Sequence, residues 1–162
     1  DWIYGRIDVR AKLPKGLGTW PAIWMMSQDN VHGHWPKSGE IDIMEYAANK
    51  LDEVFFCIHT EKYNHRRKDQ YYFTKIIPNI ADDFHKFSLD WSENQISYYV
   101  DDELITRYVK GEDNKDTSWE GWPFDEEYYI ILNLAIGGMF GGEVDTECLP
   151  QEFIIKDIKV YQ

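Results

Sequence analysis

Several absences bound what this chain can be. No apolar run approaches the ~20 residues that a membrane-spanning helix requires, so a helical bilayer span is excluded. Cationic charge is scarce: 17 Lys and Arg stand against 29 Asp and Glu, a formal net charge of -12. Nucleic acid and anionic membrane surfaces both demand a cationic footprint, so neither suits as a partner, and a neutral or cationic ligand fits better. Amphipathic helical periodicity, internal repeats and low-complexity tracts are missing, which turns the reading toward strands. Cysteine is nearly absent. Cys57 lies in an apolar run and Cys148 in a loop, which allows one bridge or two free thiols; an inert Cys at a buried strand position favours free thiols.

Aromatic residues are abundant. Seven Trp, eleven Tyr and eight Phe exceed what the core of a single domain over residues 1–162 needs, and flat amphipathic rings suit stacking on sugar faces. Strand signals recur. Ile7, Val9, Ala11 and Leu13 alternate with Asp8, Arg10 and Lys12, and Phe87, Leu89 and Trp91 alternate with polar neighbours, as in half-buried strands. Ile96 to Val100 and Glu103 to Val109 flank Asp101-Asp102, which predicts a hairpin with a tight polar turn. Tyr128 to Ile136 and Phe153 to Tyr161 add two more strands. Short strands with Gly and Pro between them predict an all-β fold, an antiparallel sandwich or barrel.

Chemistry concentrates in Gly39 to Tyr46, where Glu40, Asp42 and Glu45 place three carboxylates within six residues of an otherwise apolar strand. Buried carboxylates are costly unless their face is a wet site. In a regular strand Glu40 and Asp42 share a face and Glu45 points the other way. A β-bulge near Ile43 and Met44 would absorb the extra residue and return Glu45 to that face. Two carboxyls so placed can perform glycoside chemistry, and retention requires them about 5 to 5.5 Å apart. Asp42 between them would orient the nucleophile through a shared proton. The plain alternative is an exposed edge strand with alternating charges. Upstream, Trp20, Trp24 and Trp35 supply indoles for stacking on sugar rings, though one of the three is expected in the core. The charged run Glu61 to Asp69 reads as a solvated loop, with the rim of a cleft as the alternative.

Tyr4-Gly5-Arg6-Ile7, Leu13-Pro14-Lys15-Gly16, Trp20-Pro21-Ala22-Ile23-Trp24, Gly39 to Tyr46 and Asn133 to Gly138, in that order, resemble glycoside hydrolase family 16. The resemblance is to its laminarinase-like branch of endo-1,3- and mixed-linkage 1,3(1,4)-β-glucanases. It implies a jelly-roll sandwich with a concave substrate cleft, and a secreted, periplasmic or cell-surface enzyme that acts by double displacement without a catalytic cofactor. It implies Glu40 as nucleophile, Asp42 as its assistant and Glu45 as acid/base, with Met44 as the extra residue of one branch. Trp20, Trp24, Trp35, His59 and Asn133 are implied to meet β-glucan, while Trp91 has two readings, cleft or core. A structural calcium at Asp157 is also implied.

Two departures stand out. Met139 and Phe140 replace the Asn and Trp usual after Gly137-Gly138, which bears on one end of the cleft. The alternating strand near Ile3 resembles the family's interior, so a missing N-terminal segment or a second chain is expected to complete the sheet. The competing functions are a glucan-binding module on the same fold and a hydrolase of another polysaccharide. Both catalytic glutamates are present, against the first; the acidic charge opposes sulfated polymers, against part of the second.

Overall fold

In the computed structural model, which describes every residue except Asn114, ten strands form two antiparallel five-stranded sheets packed face to face. The strands are β1 (Gly5–Lys12), β2 (Thr19–Ser27), β3 (Glu40–Tyr46), β4 (Glu53–His59), β5 (Tyr71–Ile76), β6 (His85–Ser92), β7 (Gln95–Val100), β8 (Glu103–Val109), β9 (Tyr128–Ile136) and β10 (Ile154–Tyr161). One sheet runs β10-β1-β6-β7-β8 and the other β5-β4-β3-β2-β9. Among the described residues the only α-helix is a turn at Gly138–Gly141. The sandwich expected from the alternation has formed.

Alternation decides which side chains enter the core. Ile7, Val9 and Ala11 of β1, Phe87, Leu89 and Trp91 of β6, and Ile96, Tyr98 and Val100 of β7 form one wall. Ile23 and Met25 of β2, Ile41, Ile43, Met44 and Tyr46 of β3, and Val54, Phe56 and Ile58 of β4 form the other. At the predicted hairpin Val100 pairs with Glu103, and Asp101 and Asp102 take φ of 49° and 69°. Two left-handed residues make the turn whose twist matches paired strands, and Asp tolerates that region well.

Two phenols cross between the sheets. Tyr98 Oη on β7 donates to the Cys57 carbonyl (2.9 Å), and Tyr108 Oη on β8 donates to the Phe56 carbonyl (3.2 Å). Both acceptors belong to β4, the strand paired with the carboxylate-bearing β3. The sandwich thus grips the site from below.

The wall is open at one edge. Ile158 and Val160 of β10 pair with Val9 and Ile7 and so share their core-facing side, yet each is 42% exposed. Burial would stabilise each by roughly 1.5–3 kcal/mol if something covered it.

Candidate active site

The register of β3 explains how three acids reach one surface. Against β4, Asp42 pairs with Cys57 and Glu45 with Phe55, so Ile43 and Met44 together oppose Phe56 alone. Against β2, Trp24 pairs with Asp42 and Ile23 with Met44, skipping Ile43. This is the predicted bulge at the predicted residues. Ile43 and Met44 are both fully buried in the core, and Glu40, Asp42 and Glu45 all line one cavity of about 710 Å³ on the outer face of this sheet. That size lies within the usual range for ligand clefts.

Neighbouring strands complete the floor. Trp20 Nε1 donates to Glu45 Oε1 at 3.1 Å, and Trp24 Nε1 donates to Asn133 Oδ1 at 2.8 Å. Ala22 pairs with Glu45 on one side and Asn133 on the other, and its short side chain leaves room above the sheet. Trp35 Nε1 donates to Glu40 Oε2. The Trp35 ring does not line the cavity; His65 lies 4.9 Å and the Arg66 guanidinium 4.6 Å from its centre. It meets the site through the N–H that orients Glu40 and through its ring, which packs beside His65 and lies 6.0 Å from the His59 ring centre.

His59 pairs with Glu40 across the ladder, as Cys57 pairs with Asp42. Two residues apart on β4, both side chains point into the cavity. His59 Nε2 lies 3.4 Å from Asp42 Oδ2 and 3.5 Å from Cys57 Sγ.

These acids hold protons unusually tightly. Burial, then the charge of Asp42, pushes the Glu40 carboxyl up to about 9, while His59 and the Trp35 donation oppose the rise. Burial raises Asp42 well above the carboxylate range, with Glu45 adding to it. Burial also raises Glu45, against the pull of the Trp20 donation. Burial lowers His59 against the opposing charges of Glu40 and Glu45, which favours the neutral ring. Carboxyls this close titrate as a unit, so the cavity can present one carboxylate and one carboxylic acid at the same pH.

The charged run Glu61 to Asp69 proves to be more than a solvated loop. Asn64, buried, donates to the carbonyls of Thr60 and Glu61 and accepts from the backbone N–H groups of Arg66 and Arg67. This knot presents His65 to the cavity and Arg66 to Trp35. At the other end Phe140 packs against Trp20 (5.2 Å) and Phe55 (4.9 Å), with Lys50 Nζ 4.7 Å from its ring centre. Phe55, His65 and Phe140 are cavity residues that strand alternation did not reveal. The available signals were the departure at Met139 and Phe140 and, for His65, the alternative of a cleft rim for the run Glu61 to Asp69.

Like the Trp35 ring, Trp91 lies away from the cavity, and so does Asp157, which was expected only as a structural calcium ligand. Trp91 is 2% exposed in the core, its Nε1 donating to the Phe124 carbonyl and its ring edge-on to Tyr4 and Tyr128. Its position on β6, in phase with Phe87 and Leu89, points it inward; the core reading replaces the cleft reading. Asp157 sits on β10 opposite Arg10, in the other sheet. Among the described residues no cluster of three His, Cys, Asp or Glu ligand atoms includes it. Cys57 and Cys148 are free thiols.

The comparisons with known proteins agree with this geometry. A family model described as glycosyl hydrolases family 16 matches residues 1–149. The chain is similar to a beta-glucanase of Rhodothermus marinus, 39% identical over 100% of this chain and 58% of that protein. It is also similar to a glucan endo-1,3-beta-glucosidase of Cryptopygus antarcticus, 38% identical over 88% of this chain and 54% of that protein. Among solved structures, the laminarinase from Rhodothermus marinus superposes with a TM-score of 0.94 at 38% identity, over 99% of this chain and 66% of that one. The chain spans little more than half the length of these two sequence relatives.

Proposed function

The chain belongs to glycosyl hydrolase family 16, and from that premise we propose that it is the site-bearing part of a retaining endo-β-glucanase acting on β-1,3 or mixed-linkage β-1,3(1,4)-glucan. The observation that carries this reading is the β3 bulge, which brings Glu40, Asp42 and Glu45 onto one cavity beside Trp20 and Trp24. In the first step the Glu40 carboxylate attacks the anomeric carbon while the Glu45 carboxylic acid protonates the departing glycosidic oxygen. The product is a glycosyl ester on Glu40. In the second step Glu45, now ionised, takes a proton from water, which opens the ester and restores both groups. Asp42 holds the proton that Glu40 sheds when the nucleophile ionises. Trp35, through its N–H, favours that ionised form.

Trp20 and Trp24 give flat apolar surface for the sugar rings, and Asn133 holds the Trp24 indole by its N–H. Phe140 extends the apolar wall where the family resemblance suggested another residue. No step calls for a metal, and a calcium at Asp157 would be structural. A polymeric glucan is an extracellular substrate, which supports secretion of the intact protein.

Retention is the test. Digestion of laminarin and of mixed-linkage glucan, followed by proton NMR, should show the β-anomer as first product. An α-anomer appearing first would overturn the double displacement even with both glutamates essential, and no cleavage of either glucan by the full-length protein would overturn the substrate.

A further inference from the structure

Glycoside hydrolysis has no use for a thiol on the cavity floor, yet Cys57 lies there, buried, beside Asp42 and His59. Three ligand atoms converge: Cys57 Sγ, His59 Nε2 and a carboxylate oxygen of Asp42, all within 4.8 Å of one another. With zinc bonds of about 2.3 Å to sulfur and about 2.0–2.2 Å to nitrogen and oxygen, tetrahedral ligand atoms stand roughly 3.3–3.6 Å apart. The observed Nε2 to Sγ distance is 3.5 Å and the Nε2 to Oδ2 distance is 3.4 Å.

A second feature points to a ligand. Asp42 Oδ2, in a residue only 2% exposed, faces this cluster and makes no well-formed hydrogen bond, its near neighbour being His59 Nε2 at 3.4 Å. Such an atom is costly to leave unsatisfied. His59 Nδ1 also lacks a partner among the described residues, so the ring can carry its proton there when Nε2 binds an ion. A thiolate with an imidazole is a donor set that selects zinc-class ions over calcium and magnesium.

We propose that Asp42, Cys57 and His59 form an inhibitory site for a thiophilic divalent cation, zinc or cadmium, with the fourth position open to the cavity. On coordination the Cys57 thiol releases its proton to solvent and sulfur binds the metal as thiolate. The ion fills the floor and takes Asp42 away from Glu40, so hydrolysis stops until a chelator removes it. The inhibition rests on the glucanase reading above; the binding does not.

Cadmium titration separates the two. The near-ultraviolet sulfur-to-cadmium charge-transfer band should saturate at one ion per chain, survive Cys148→Ser and vanish in Cys57→Ser. Zinc should displace the band. His59→Gln should weaken cadmium binding by roughly tenfold or more, a second readout should Cys57→Ser misfold by near-ultraviolet circular dichroism. A band that follows Cys148, or affinity unchanged in both variants, overturns the site. In the full-length protein micromolar zinc should abolish glucan hydrolysis, reversibly with EDTA. Each protein is compared with its own metal-free rate, and the zinc inhibition constant of Cys57→Ser should rise by roughly tenfold or more. Cadmium binding with hydrolysis untouched overturns the inhibitory role alone, whereas a metal-free protein that cleaves no glucan overturns the glucanase reading and leaves the binding result standing.

Discussion

The indole N–H of Trp20 donates to Glu45 Oε1 across 3.1 Å, so the residue that walls the cavity also tunes the proposed acid. A donated hydrogen bond favours the ionised carboxylate, and here it opposes the rise that burial imposes on Glu45. Trp20→Phe keeps an aromatic wall and removes the donor. The Glu45 pKa should then climb further, and the alkaline limb of the kcat/KM profile, where the acid loses its proton, should move to higher pH. A limb that stays in place or falls would detach Trp20 from the acid.

Glu40→Gln should lower kcat by roughly six orders of magnitude, the scale on which a lost nucleophile acts. The same variant should alter stability in a pH-dependent way. Burial and the charge of Asp42 push the Glu40 carboxyl up to about 9 in the folded chain, from an ordinary value of 4.5. Between those values the folded state binds more protons than the unfolded one, so this group's contribution is full below about 4.5 and fades as pH rises toward about 9. The loss approaches ~1.4 kcal/mol per pH unit. Glutamine does not titrate, so the Tm of Glu40→Gln should gain on the parent as pH climbs through that window. Parallel Tm curves would refute the raised pKa.

Glu45→Ala should cripple cleavage of polymeric glucan while sparing aryl glucosides with good leaving groups, which need no protonation. Azide, entering the vacated space, should partly restore the second step and yield a β-glycosyl azide. No rescue together with equal loss on both substrates would argue that Glu45 is structural.

Trp91→Ala should cost roughly 3–5 kcal/mol of folding stability, as for other buried aromatics, with KM for glucan unchanged in the folded fraction. Trp24→Ala should show the opposite balance, raising KM with little loss of stability. Denaturant titration and kinetics on both variants check the pair.

The core face left open at Ile158 and Val160 should make the isolated 162-residue polypeptide associate. Light scattering should report oligomers that Ile158→Lys with Val160→Lys reduces to monomer. A monomeric parent would mean that this edge is tolerated bare.

Where a pattern was local, it could be read directly. The odd spacing from Asp42 to Glu45 demanded a bulge, and two Asp between alternating strands demanded the hairpin. β5 was not foreseen, because Tyr71 to Ile76 is a half-exposed edge strand whose pattern carries no clean alternation. Trp91 stayed ambiguous because alternation says which residues share a face but not which face is covered. His65 and Phe140 reach the cavity from loops, and their positions depend on a buried Asn64 and on Trp20 and Phe55, contacts with no periodicity to announce them. The pairing of Cys57 with Asp42 belongs to this class too, since it exists only once β3 and β4 are in register.

The bulge has an arithmetic consequence. Side-chain direction in a strand depends on whether a spacing is odd or even, and β3 carries an odd interval that the bulge converts to an even one. Deleting Met44 would leave Glu-Ile-Asp-Ile-Glu, whose even intervals put all three acids on one side of an unbroken ladder. The shortened strand would lose a buried side chain and the local bend of a bulge, but its carboxylates would still face the same way. Two chain lengths can thus reach one arrangement of acids. What the additional residue contributes is a local bend of the cleft floor, and through it the contour of the surface offered to a ligand.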